Sequence, residues 1–107
     1  MRYYLAVSTN PGISYAKGVC DEGRRVSVVE AFGIFTTVST AAHELGHNLG
    51  ADHDEEDDAK ACDPNDLFIM SPNETAFVRG KPYSRNPWMF SNCSVEAFKT
   101  TLPNKYV

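Results

Sequence analysis

The sequence predicts an α+β domain: about three short strands packed on one helix, then an irregular subdomain, then a closing helix. Three observations predict it. β-branched segments separated by turn residues lead the chain. The apolar period then lengthens to three and four between Val38 and Leu49. Beyond Gly50 a charged, proline-bearing stretch runs to about Phe90 before a second helical pattern starts.

Taken in order, Tyr3 to Ser8 reads as a strand and Asn10-Pro11-Gly12 as a turn. Ile13 to Ala16 reads as a short second strand ending near Gly18, and Asp21-Glu22-Gly23 as the next turn. Val26 to Phe32 alternates and is β-branched, which predicts a third strand. A helix follows, with Thr36 or Thr37 as its cap. Val38, Ala41, Ala42, Leu45 and Leu49 are expected to form its buried stripe. Gly50 is the expected stop, because a left-handed residue costs glycine little. After the irregular region, Ser94 is expected to cap a helix carrying Val95, Phe98 and Leu102 that ends before Pro103.

Composition narrows the function classes. The chain has 107 residues, enough for one domain at most. At 42% hydrophobic and 22% charged it is globular and neither disordered nor fibrous. The net charge of −4 comes with no basic stripe to neutralise phosphates, which argues against nucleic acid as a partner. No apolar stretch approaches the roughly 18 residues of a membrane-spanning helix. Tyr3 to Val7 is too short for the apolar core of a signal peptide, so a targeting signal is expected outside this chain. The three cysteines, Cys20, Cys62 and Cys93, allow one disulfide and one leftover thiol. Asn73-Glu74-Thr75 and Asn92-Cys93-Ser94 are sequons of small weight.

The decisive segment is His43-Glu44-Leu45-Gly46-His47-Asn48-Leu49-Gly50-Ala51-Asp52-His53, which fits H-E-x-x-H-x-x-G-x-x-H in full. Five fixed positions at about one in twenty each make a chance match about one in three million per window. His43 and His47, four apart on a helix, project from one face. Gly50 lets the chain turn back so that His53 arrives from another direction. Three histidines around one Zn2+ leave a fourth position for water, the mark of a catalytic rather than a structural zinc. Glu44, beside a ligand, is placed to act as general base toward that water and then to protonate the leaving amine. Asp54 is expected to anchor the turn by hydrogen bonds and not to bind metal. The run Asp54 to Asp58 reads as a solvated acidic loop in preference to a Ca2+ site, and Met70 reads by default as a core residue.

At these residues the sequence resembles the metzincins, and within them the adamalysin or reprolysin family of zinc endopeptidases. The likeness covers nearly the whole chain. Gly12 to Ala16 and Val19-Cys20-Asp21 resemble the family's segment ahead of the zinc helix, and His53-Asp54 its form of the third-ligand motif. Ile69-Met70-Ser71-Pro72 resembles the Met-turn, and Phe90 to Ser94 the approach to the terminal helix. The resemblance implies a mixed, twisted sheet and an apolar floor under the imidazoles made by Met70. It implies that Ile13, Ser14, Tyr15 and Ala16 form the edge strand that receives an extended substrate. Ser71 and Pro72 would then belong to the wall of the pocket for a substrate side chain. It also implies a Cys62–Cys93 disulfide. The family's first two strands and two helices precede what this chain holds, so residues 1–107 look like the C-terminal half of the catalytic domain. The family's partner for Cys20 lies near the domain's C-terminus, and no such cysteine occurs before Val107.

The function expected on these grounds is hydrolysis of peptide bonds in extracellular proteins, by a secreted, monomeric zinc endopeptidase whose water Glu44 activates. One alternative is a catalytically impaired fragment, or a non-catalytic zinc-binding interaction module; the intact Glu44 speaks against it. A zinc hydrolase acting on something other than protein ranks last, because the edge-strand segment and the Met-turn both suit peptide.

Overall fold

The computed structural model describes residues 11–31, 33–72 and 85–105. The expected strand Tyr3–Ser8 and the sequon at Asn73 lie outside them. Within them the architecture is α+β: β1 (Gly12–Ser14), β2 (Ser27–Val29), α1 (Ile34–Leu49) and α2 (Asn92–Lys105), with 3₁₀ turns at Asp57–Ala59, Pro64–Asp66 and Asn86–Trp88.

β1 and β2 pair antiparallel, with Gly12 opposite Val29, Ile13 opposite Val28 and Ser14 opposite Ser27. The Ser14 and Ser27 hydroxyls meet across the pair at 2.8 Å. Glu30 N–H donates to Pro11 C=O at 2.8 Å, prolonging the contact by one bond. Gly12 is therefore the first residue of β1 and not the tip of a turn. β1 stops at Ser14, short of the expected Ala16, where the Tyr15 carbonyl instead accepts from Asn48 Nδ2 on α1.

α1 begins earlier than a threonine cap would place it. Gly33, at φ 92°, precedes the helix without any side-chain cap, and its carbonyl accepts the first helical bond from Thr37 N–H at 3.1 Å. That positive φ is cheap only for glycine, so the backbone, not a hydroxyl, starts the helix. The far end closes as Gly50 requires. Gly50 adopts φ 119°, Ala51 N–H donates to Gly46 C=O at 2.9 Å, and Gly50 N–H donates to His47 C=O at 3.1 Å. This is the paired Schellman closure.

The expected buried stripe of α1 is corrected. Val38 and Leu45 are 53% and 50% exposed and Ala41 is exposed too, Ala42 and Leu49 are half-buried, and Thr40, Glu44, Gly46 and Asn48 are buried. The helix turns Glu44 and Asn48 inward over β1 and the 15–24 loop, and the side bearing Val38, Ala41 and Leu45 outward. Nothing among the described residues covers that aliphatic side.

α2 also departs from expectation. It starts at Asn92, and Ser91 is the capping residue, accepting from Ser94 N–H at 3.3 Å. A serine one helical turn earlier than Ser94 thus satisfies an orphan donor. Helical backbone continues through Pro103 to Lys105, since the proline's missing N–H removes only one bond in the last turn. Val95 is exposed, and Phe98 meets Phe90 edge to face at 5.0 Å.

Beneath α1 lies a small core of Ala51, Ala59, Leu67 and Met70 together with buried Asp54, Ser91 and Ser94. Cys62 and Cys93 are joined across 31 residues, tying the irregular region to the start of α2. Closing a loop of that size is worth about 3–4 kcal/mol by the chain-entropy argument.

Candidate metal centre

Three imidazoles converge at the C-terminal part of α1. His43 and His47 lie one turn apart, and the bend at Gly50 returns His53 to them. The Nε2 atoms of His43 and His53 are 3.1 Å apart, as are those of His47 and His53. The rings are far from coplanar, with 84° between His43 and His47 and 68° between His47 and His53. The nitrogens therefore approach one point from different directions.

The outer nitrogens decide what sits at that point. His43 Nδ1 lies 2.7 Å from Ile69 C=O, His47 Nδ1 lies 3.0 Å from Ala51 C=O, and His53 Nδ1 lies 3.3 Å from the Glu56 carboxylate. The Nδ1 atoms of His43 and His47 each face a main-chain carbonyl and so carry the proton, which leaves their Nε2 atoms with bare lone pairs. Burial drives the His43 pKa down to about 4, against an opposing pull from the Ile69 carbonyl. Burial lowers His47 as well. Bare lone pairs 3.1 Å apart repel unless a cation lies between them. Two ligands at about 2.0–2.1 Å on a tetrahedron are about 3.3 Å apart. The trio thus fits one zinc ion, and these are the residues among those described whose ligand atoms cluster in this way.

Glu44 is 7% exposed, and burial raises its pKa to about 6. It needs room that only glycine leaves: a Cβ on Gly12 would stand 2.7 Å from Glu44 Cγ and 3.1 Å from Oε1. The start of β1 therefore lies directly against the carboxylate's stem.

Met70 is fully buried against α1, where a side chain on Gly46 would collide with its sulfur and press on the Phe90 ring. Its carbonyl accepts from Asp54 N–H at 3.0 Å. Asp54, also fully buried, accepts from Ser91 Oγ at 2.7 Å through Oδ1, while its Oδ2 has no hydrogen-bond partner among the described residues. Burial, outweighing the Ser91 bond, pushes this carboxyl up. Ser71 turns its hydroxyl to Pro64 C=O at 2.8 Å, and Pro72 is exposed. Ile13, Ser14 and Tyr15 are half-buried on and beyond β1, and Ala16 is exposed. Cys20 is a free, exposed thiol.

Three contributors escaped the sequence reading. Gly12 was a turn glycine there, and its clearance for Glu44 has no local signature. Asn48 is 4% exposed and its Nδ2 donates to Tyr15 C=O at 3.0 Å and Arg24 C=O at 2.9 Å. With Lys17 N–H to His47 C=O at 2.8 Å, it fastens the chain after β1 to the helix that bears the histidines. Its one available signal was a polar residue on the helix's buried side. Glu56 stood three residues after a ligand, inside what read as a solvated acidic run.

Comparison with known proteins yields a single theme. The family described as "Reprolysin (M12B) family zinc metalloprotease" matches residues 3–106. The snake venom metalloproteinase trimerelysin-2 of Protobothrops flavoviridis is 33% identical over 95 residues, covering 85% of this chain and 40% of that protein. The snake venom metalloproteinase TM-1 of Protobothrops mucrosquamatus is 36% identical over 95 residues, covering 87% and 41%. A disintegrin and metalloproteinase with thrombospondin motifs 19 of Mus musculus is 35% identical over 94 residues, covering 88% of this chain and 7% of that protein. The chain thus spans about two fifths of the length of the venom relatives and a small part of the third.

Proposed function

Because the chain belongs to the reprolysin (M12B) family of zinc metalloproteases, we propose that it is the C-terminal half of a catalytic domain that hydrolyses peptide bonds in extracellular proteins. The convergence of the three Nε2 atoms, with His43 and His47 fixed through Nδ1 by main-chain carbonyls, is the observation that carries this reading. His43, His47 and His53 would hold the ion. Zinc supplies there a Lewis acid that makes water acidic near neutral pH and polarises a carbonyl.

The remaining steps belong to the chain's own groups. Glu44, in its ionised form, takes a proton from the attacking water and hands it to the leaving amine. Its buried setting places the carboxylate's pKa near the working range of a general base. Ile13 to Ala16 offer the substrate an extended backbone to pair with. Ser71 and Pro72 form part of the adjoining wall, with Ser71 locked from behind by Pro64. Met70 supplies an apolar floor that keeps the ligand helix at a fixed height.

Two further points belong to this reading. The outward aliphatic side of α1, with Val38 and Leu45, and Val28 on β2 are faces that the rest of such a domain would cover. The named venom relatives favour a secreted protein. No helix among the described residues is long and apolar enough to cross a membrane.

The test is digestion of casein and a peptide library, with and without a chelator, by this chain and by a version extended at its N-terminus. Chelator-sensitive cleavage by the extended protein, lost in Glu44→Ala, is expected. Cleavage that survives chelation would remove zinc from the reaction.

A further inference from the structure

We propose that Glu56 is a positioning residue for the third ligand, orienting His53 and strengthening its grip on zinc. The inference rests on the reading of the three histidines as the metal site and adds a residue outside the ligand motif.

Two independent observations carry it. The first is the contact itself: Glu56 Oε2 lies 3.3 Å from His53 Nδ1. His43 and His47 have their Nδ1 atoms fixed by main-chain carbonyls, at 2.7 and 3.0 Å. His53, in a loop after the helix has ended, has the Glu56 carboxylate at ion-pair distance instead. A carboxylate behind a ligating imidazole fixes its ring orientation and favours the Nδ1–H tautomer.

The second is the backbone around Glu56. Glu56 N–H donates to His53 C=O at 3.0 Å, closing a tight turn over residues 53–56. Within it Glu55 stands at φ 84°, a position in such turns that favours glycine. Asp57, on the other side, stands at φ 46°. Two non-glycine residues in the left-handed region flank one carboxylate that itself sits in an ordinary extended conformation at φ −96°. Glu55 N–H to Ala59 C=O at 2.8 Å and Ala59 N–H to Glu56 C=O at 2.8 Å pin this shape. Backbone held in unfavourable regions concentrates where geometry matters for function. Here its result is to bring Glu56, out of five consecutive acidic residues, back onto the ligand.

Glu56 is more than half exposed, so as a surface ion pair it would contribute little to folding. Its effect is expected on the metal, and it can be removed without opening the core. Zinc affinity is measured by competition with a chromophoric chelator for the unaltered chain and for Glu56→Ala, Glu56→Gln, Glu55→Gln and His53→Ala. The ring ¹⁵N shifts of His53 are recorded on the zinc-free proteins. Glu56→Ala is expected to weaken zinc binding about 10–100-fold. Glu56→Gln, which keeps an acceptor but loses the charge, should fall between it and the parent. Glu55→Gln, which removes an equal charge next door, should stay within about twofold. The His53 ring should shift from the Nδ1–H toward the Nε2–H tautomer in Glu56→Ala alone. Affinity and tautomer unchanged in Glu56→Ala, while His53→Ala loses zinc, would overturn the proposal. Equal losses in Glu55→Gln and Glu56→Ala would overturn it too. Unchanged binding in His53→Ala would instead sink the ligand assignment.

Discussion

Glu44 shows at one residue how the site trades stability for chemistry. An unfolded glutamate releases its proton near 4.5, whereas the folded carboxyl holds it up to about 6 because it is buried. The folded state therefore binds more protons across that window. Its relative stability is fullest below 4.5 and is lost as pH rises through 6. A difference of about 1.5 pH units corresponds to about 2 kcal/mol at pH 7. Glu44→Gln keeps the shape and removes the charge. The zinc-free variant should be about 2 kcal/mol more stable than the parent in urea at pH 7, with no difference at pH 4. It should also lose cleavage. A Gln variant that is less stable at pH 7, or equally advantaged at both pH values, would contradict this account of the burial. The convergence of the three histidines and the glycine bend were legible in the sequence, because a helix fixes which residues share a face and glycine marks its end. Gly12, Asn48 and Glu56 were not, because each acts through a contact between segments distant in sequence or through a strained turn.

The elements divide along the same line. The stop of α1 was readable because glycine at the end of a helix has a local cause. Its start was not, because a backbone-only closure at Gly33 leaves no side-chain signature. The direction in which α1 faces was misjudged from hydrophobicity. Its buried side is set by Asn48 and Glu44, while Val38 and Leu45 face out. Two predictions belong here. Asn48→Ala leaves the Tyr15 and Arg24 carbonyls without their shared donor and should cost about 2–3 kcal/mol by urea unfolding. A loss below half a kilocalorie would mean that the loop is held by its main-chain bonds alone. Gly50→Ala must place a Cβ at φ 119° and against Thr101 on α2. It should cost about 1–3 kcal/mol and weaken zinc binding by displacing His53. Unchanged metal affinity in that variant would show that the bend can re-form without glycine.

For the molecule as a whole, the described core is small and leans on one covalent tie. Reduction of Cys62–Cys93 should lower stability by about 3–4 kcal/mol. Peptide mapping without reduction should recover those two cysteines together and Cys20 alone, whereas a Cys20–Cys62 peptide would refute the pairing. The aliphatic side of α1 predicts that lengthening the chain at its N-terminus raises the melting temperature; an unchanged value would mean that nothing upstream packs there. What unites the scales is the proposal that His43, His47 and His53 would hold a single zinc ion and leave one position for water. Zinc K-edge X-ray absorption on the zinc-loaded chain addresses that directly. Three nitrogens at about 2.0–2.1 Å and one further light atom, with no sulfur, are predicted. Sulfur in the first shell, or fewer than three imidazoles, would contradict it.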